Sequence, residues 1–161
     1  MQSADYFQRA EQHRLAGELD AALADYDAAL QLDPTSAEAY NGRGLVRELR
    51  NDLDAAIRDY SEAIRFKPDF TDAHLNRGAA HLIDRNFAAA EADYSAAIRL
   101  DPLQIDAHHN RAVARRYSGD LARAISDYER YLALGGGERD GDQAEIEAAI
   151  QALHEQLNTP Q

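Results

Sequence analysis

The chain has 161 residues, 45% of them apolar, a formal net charge of −12 and no cysteine. That apolar content is too high for a disordered chain. The charge argues against nucleic acid and anionic membrane surfaces, which reward cations, and the missing cysteines exclude disulfides, thiolate catalysis and zinc–cysteine sites. Of the 17 basic residues only Lys67 is a lysine. Arginine suits fixed, forked pairing with carboxylates; genomic composition is the other source of such a bias. The start, "MQSADYFQRAEQ", carries no basic-then-apolar leader. No apolar run approaches the roughly 20 residues of a membrane span, so the expected location is cytoplasmic.

In chain order, residues 3–36 read as two helices, the first with Arg9, Ala10 and His13, the second with Leu19, Ala22 and Tyr26. Residues 37–70 repeat the scheme more clearly. "SAEAYNGRGLVREL" has helical composition and "RND" breaks it. "LDAAIRDYSEAIRF" then places Leu53, Ala56, Ile57, Tyr60, Ala63 and Ile64 on one face at the 3.6-residue period. "KPDF" ends that helix, because proline lacks an amide donor and disfavours helix just before it. Residues 71–104 and 105–138 follow the same plan. The turns inside the copies hold Gly17, Asn51, Arg85 and Gly119. Gly and Asn tolerate the left-handed conformation that closes many helices, and Arg85 is less suited to it. "GGGERDGD" reads as a flexible linker. Residues 142–158 read as a ninth helix, capped by Asp142 with Glu145 three residues on, with Ile146, Ile150, Leu153 and Leu157 as its apolar stripe. It suits a lid on the end of a repeat stack; a dimerising or partner-binding helix is the alternative.

Self-comparison gives the period. Pro34, Pro68, Pro102 and then Gly136 are 34 residues apart, as are Tyr26, Tyr60, Tyr94 and Tyr128. Ala22, Ala56, Ala90 and Ala124 keep the interval, and so do Leu19, Leu53, Phe87 and Leu121. A period near 34 marks a helical solenoid. With Tyr40 and Gly44, then Ala56, Tyr60, Ala63 and Pro68, and again His74, Gly78, Ala90, Tyr94, Ala97 and Pro102, the chain resembles the tetratricopeptide-repeat family over roughly residues 3–136. The resemblance implies an all-α, right-handed α-α superhelix of four helical hairpins plus the capping helix, in one domain over residues 1–161. The first copy lacks the glycine. The fourth has Tyr131 where alanine recurs, so its outer side is expected to pack differently.

Arg77 recurs as Arg9, Arg43 and Arg111, where the family more usually has an apolar residue. Asp25, Asp59, Asp93 and Asp127 each follow 16 residues later. In an antiparallel hairpin, residues at one axial level have a constant sum of indices. If Gly44 meets Tyr60, Arg43 lies within about one turn of Asp59, given the 1.5 Å rise per residue. The expected pairs are Arg9–Asp25, Arg43–Asp59, Arg77–Asp93 and Arg111–Asp127. Pairing across adjacent copies is the competing geometry, and a ligand-binding arginine ladder the functional one.

Nothing points to catalysis. His74 and His108 occupy the column of Tyr6 and Tyr40, and His13 matches His81, which suits packing. No i, i+4 histidine pair, P-loop, dinucleotide glycine pattern or activated serine motif is present. The expectation is therefore no catalytic residue, no metal and no cofactor. The rival is a module with a metal on His108 or His109.

What remains is surface recognition. The resemblance assigns the concave face to the first helix of each copy: Phe7, Glu11, Asn41, Leu45, Leu75, Asn76, Ala79, Leu82, His109, Asn110, Val113 and Arg116. These positions vary between copies far more than the packing columns do. The leucines, Ala79 and Val113 offer apolar anchors, and an amide offers both donors and an acceptor to a peptide backbone. Some family members clamp the carboxylates of chaperone tails with cations. Phe7, Glu11, Gly42, Asp72 and Asn76, or Asn41, Leu45, Asn76, Asp106 and Asn110, supply none of them. The expected function is an adaptor or assembly scaffold binding a peptide or protein segment, with basic flanks favoured by the acidic balance. The alternative is self-association, as a monomer in equilibrium with a weak homo-oligomer, through exposed repeat ends. Replacing Arg77 by Met while keeping Asp93 is expected to lower the melting temperature, because breaking a buried pair loses about 3–5 kcal/mol; unchanged melting would reject the pair.

Overall fold

A computed structural model describes residues 2–159. Ten helices follow one another: α1 (Ser3–Leu15), α2 (Leu19–Leu32), α3 (Ala37–Leu49), α4 (Leu53–Phe66), α5 (Thr71–Ile83), α6 (Phe87–Leu100), α7 (Ile105–Tyr117), α8 (Leu121–Ala133), α9 (Gly136–Asp140) and α10 (Gln143–Asn158). The described residues contain no strand. The chain divides into two compact units, Met1–Ala80 and His81–Gln161, with the boundary inside α5.

One turn design joins the helices within every copy. Gly17, Asn51, Arg85 and Gly119 all have positive φ, between 60° and 83°. The amide three places beyond each helix end donates back five residues: Glu18 to His13, Asp52 to Arg47, Asn86 to His81 and Asp120 to Arg115, at 2.8–2.9 Å. This is the Schellman closure of a helix. Asp52, Asn86 and Asp120 then cap the next helix, their side chains accepting from Ala55, Ala89 and Arg123 amides. Glu18 does not cap; its carboxylate bonds the His13 ring instead. Arg85, the residue least suited to the turn, adopts it nonetheless at φ 60°. A side chain there costs roughly 1 kcal/mol relative to glycine.

In the first unit, α1 packs antiparallel on α2 and α3 on α4, and Ala10, Ala22, Tyr26, Ala29, Ala39 and Val46 form a core with no exposure. The tyrosine column fills the space left by the small column. A Cβ placed on Gly44 would lie 2.6 Å from Tyr60 Cε1, and one on Gly42 2.6 Å from Tyr26 Cζ. Tyr26 and Tyr60 have no exposure.

In the second unit, α6 packs on α7 and α7 on α8, and α10 covers α8 through Ile146 and Leu153. Leu157, expected in that stripe, is exposed in the last turn of α10. Nor is "GGGERDGD" a flexible linker. It forms α9, between Gly135 and Gly141 at positive φ. The cause is Tyr131, buried where the other copies have alanine, whose ring leaves no room for a Cβ on Gly136. Its hydroxyl bonds Asp140 at 2.9 Å and Asp142 at 2.8 Å. Asp142 therefore stands at the N-cap position of α10 without capping it, because its carboxylate is taken. The extra short helix makes the last helix the tenth rather than the ninth. Gly44→Ala is expected to destabilise the protein by about 1–3 kcal/mol in chemical denaturation, because overpacking against the fixed Tyr60 ring outweighs alanine's helical advantage.

Candidate functional site

Sequence predicts that each arginine pairs within its own copy, with pairing across adjacent copies as the competing geometry, and Arg43 makes both. Arg43 Nε and Nη2 bond the two oxygens of Asp59 at 2.9 and 2.7 Å, and its Nη1 bonds Asp27 in the preceding copy at 2.5 Å. Arg111 does the same with Asp127, at 2.9 and 2.7 Å, and reaches back to Ser95 at 3.1 Å. Arg9 forks onto Asp25, and Arg77 Nη1 reaches back to Ser61 at 3.0 Å. The rigid fork explains the choice of arginine, since an ammonium could not hold one carboxylate bidentately while bonding a second helix. The pairing of Arg77 with Asp93, residues of different units, remains a proposal.

A second basic column escaped the sequence reading. Arg47 meets Asp59 at 2.9 Å and Arg115 meets Asp127 at 2.7 Å. His13, in the same column, lies 3.7 Å from Asp25. Positions 13, 47, 81 and 115 alternate His and Arg, so the spacing was visible only between the histidines. His74 and His108 are buried, and each donates Nε2–H to a proline carbonyl six residues earlier, Pro68 at 3.1 Å and Pro102 at 3.2 Å. The His109 ring instead sits 5.8 Å from Tyr128 and 5.0 Å from Tyr131, so adjacent histidines serve different contacts. Among the described residues no group of three or more His, Cys, Asp or Glu could hold a metal ion.

The groove candidates of the first unit lie on α1, α3 and α5, all half-buried. Phe7 packs edge-on to Tyr26 at 6.1 Å and lines a cleft of about 470 Å³ with Gln2, Ser3, Ala4, Asp33, Ser36 and Glu38. Glu11 accepts the Tyr26 hydroxyl and Arg14. Burial pushes the Glu11 carboxyl up, but those two bonds together hold it below the usual range. Leu45 leans on the Ala56, Tyr60 and Ala80 cluster. Asn76 Nδ2 bonds Asn41 Oδ1 at 3.0 Å, joining α5 to α3. Leu75 and Ala79 occupy the same helix as Asn76. Glu48, which sequence reasoning missed, accepts the Tyr60 hydroxyl at 2.8 Å; burial first, then this carboxylate, push that phenol far above its usual value. In the second unit Leu82, His109, Asn110 and Val113 are half-buried and Arg116 is exposed. Asn110 Oδ1 meets His109 Nδ1 at 3.3 Å, and Val113 packs on the α7–α8 core. Several candidates thus serve packing as well as surface.

Helical hairpins on one repeated turn, with a constant interior and a varied first-helix face, define an all-helical repeat protein of the kind that presents a recognition surface. The family profile described as "TPR repeat" matches residues 11–49 and 47–82, and that described as "Tetratricopeptide repeat" matches residues 75–142. The chain belongs to the tetratricopeptide-repeat family, whose fold is commonly a protein–protein interaction module. Similar solved structures include a crystal structure of MamA protein, at 19% identity over 95% of this chain and 90% of that one, with a TM-score of 0.79. MamA 41-end from Desulfovibrio magneticus RS-1 aligns at 15% identity over 98% of this chain and 97% of that one, with a TM-score of 0.78. The first TPR of Spaghetti (RPAP3) bound to HSP90 peptide SRMEEVD aligns at 21% identity over 75% of this chain and 94% of that one, with a TM-score of 0.69. No curated protein matches the chain significantly. Among the described residues no helix is long and apolar enough to cross a membrane.

The fork from Arg9, opposed by partial burial, holds the Asp25 carboxyl below its ordinary range. A depressed carboxyl contributes stability above its unfolded pKa of about 3.9 and loses it as pH falls through the lower folded value. The stability difference between wild type and Arg9→Gln is expected to stay constant above pH ~5 and to shrink below pH ~4, as read by denaturant titration at each pH.

Proposed function

We propose that the chain is a non-enzymatic adaptor or assembly factor that binds a peptide or protein segment on the first-helix face. The observation that carries this reading is the Asn41–Asn76 bond on α3 and α5. Among the described residues neither amide takes another side-chain partner. The pair therefore offers a spare donor on Asn41 and a spare acceptor on Asn76, the complement of one peptide unit. Leu45, Leu75 and Ala79 supply apolar anchors beside it, and variation between copies on an otherwise repeated frame suits a specific partner. The net charge of −12 favours basic flanks on that partner, so binding weakens with salt. A non-membrane, cytoplasmic setting suits an adaptor of this kind.

Leu75→Glu combined with Asn76→Ala is expected to abolish capture of the wild-type partner in a pull-down while leaving the melting temperature within a few degrees. Identical partner lists from a folded variant would reject the face as the site. Sedimentation at several concentrations separates the self-association reading, which requires a mass that rises with concentration.

A further inference from the structure

Half of the arginines of the second unit are matched to carboxylates. Arg111 and Arg115 grip Asp127, Arg123 holds Asp120 and Glu91, and Arg139 holds Asp106 and Asp140. Arg85 and Arg116, like Arg99 and Arg130, are exposed and have no carboxylate partner among the described residues. Arg85 and Arg116 differ from the other two in what lies between them. The Arg85 guanidinium is 5.9 Å from the Phe87 ring, Phe87 stacks on Tyr117 at 5.1 Å and 13°, and the Arg116 guanidinium is 6.0 Å from the Tyr117 ring. The order is cation, ring, ring, cation. Tyr117 is 60% exposed, and Ile83, in the same column one copy earlier, is 58% exposed.

The repeat frame does not require these residues. Position 87 is leucine in the other three copies, and 117 is leucine or isoleucine. The turn position of Arg85 is glycine or asparagine elsewhere, and Arg85 occupies it at positive φ against its own preference. A strained arginine, a ring pair with Tyr117 exposed and Phe87 half-buried, and two cations without a carboxylate thus coincide at one place, Arg116 also lying against the Tyr128 hydroxyl. Tyrosine and arginine are also the residues that dominate binding energy at protein interfaces.

We infer that the Arg85–Phe87–Tyr117–Arg116 stack docks an acidic segment of a partner protein, its carboxylates pairing with the two guanidinium groups and an apolar side chain covering Tyr117. This deepens the proposed recognition function, and rests on it at Arg116. The overall acidic field favours basic flanks, while the local stack selects carboxylates, so the partner carries both signs. Phosphates and bases could use the same cations and rings, but the net charge and the adjacent Asp84 disfavour a polyanion.

The test is an amide-resolved NMR titration of the full chain. The probes are an acetylated peptide alternating Glu and Leu, the same peptide with Gln for Glu, and an oligothymidylate. The expected result is saturable shifts centred on Arg85, Phe87 and Tyr117 with the acidic peptide alone. Affinity should fall at least about tenfold, or ~1.4 kcal/mol, in the Arg85→Gly, Arg116→Gln double variant. Arg85→Gly by itself should melt no lower than wild type, which separates lost binding from lost folding. Absent or scattered shifts, equal response to the Gln peptide, an unchanged double variant or a stronger response to oligothymidylate would each overturn the inference. The Leu75→Glu, Asn76→Ala variant should keep the response, so failure of the groove reading is seen separately.

Discussion

The buried aspartate of the second helix is the constraint on which each hairpin depends. Asp59 and Asp127 are almost wholly buried, and each is held by two arginines that come from one face of the first helix, four residues apart. Replacing a buried ion pair by apolar residues is often neutral, whereas stranding one member is strongly destabilising. The pair therefore contributes less to net stability than to alignment. A hairpin shifted by one turn would take the Tyr60 ring off Gly44 and would also leave a carboxylate without its fork. The third arm of Arg43, on Asp27, and that of Arg111, on Ser95, extend the same specification to the preceding copy.

The histidine members of the second basic column soften this rule in one copy. Arg47 and Arg115 bring a permanent second cation to their aspartates, but His13 stands 3.7 Å from Asp25 and also bonds Glu18. Arg9 is also more exposed than Arg43, with 45% of its side chain accessible against 16%. The ion pair of the first hairpin is thus closer to water than that of the second. Packing compensates there, with Phe7 against Tyr26 and Glu11 holding the Tyr26 hydroxyl.

How much could be read from sequence followed from what repeats. Columns of Ala, Tyr, Arg and Asp at one interval gave the hairpins, their turns and the pair within a copy, because each residue was tested several times over. Features that occur once were not legible. Tyr131 departs from its column, and its ring dictates both the glycine at 136 and the two carboxylates that receive its hydroxyl, so a glycine-rich acidic run became α9. The candidate face was legible only as variation. Its interactions, such as the Asn41–Asn76 bond, join residues 35 apart rather than 34, and no column exposes them. Arg47 and Arg115 were missed for a related reason, since their column changes residue type while keeping its charge role.

This division between repeated and unrepeated residues also bears on where function can sit. A side chain in a packing column answers to neighbours on two helices, so changing it is costly. Half-buried face residues answer to one neighbour or none. Phe7, Glu11 and His109 are intermediate, since each supports a column tyrosine while presenting an edge outward. Such residues can pass the occupancy of the face to the core beneath it. Glu11 cannot turn toward a ligand without releasing the Tyr26 hydroxyl, and Tyr26 in turn fills the space over Gly42. Recognition that engaged Glu11 would therefore be coupled to the packing of α1 and α2 against α3, whereas recognition through Leu75, Asn76 and Asn41 would leave that core undisturbed.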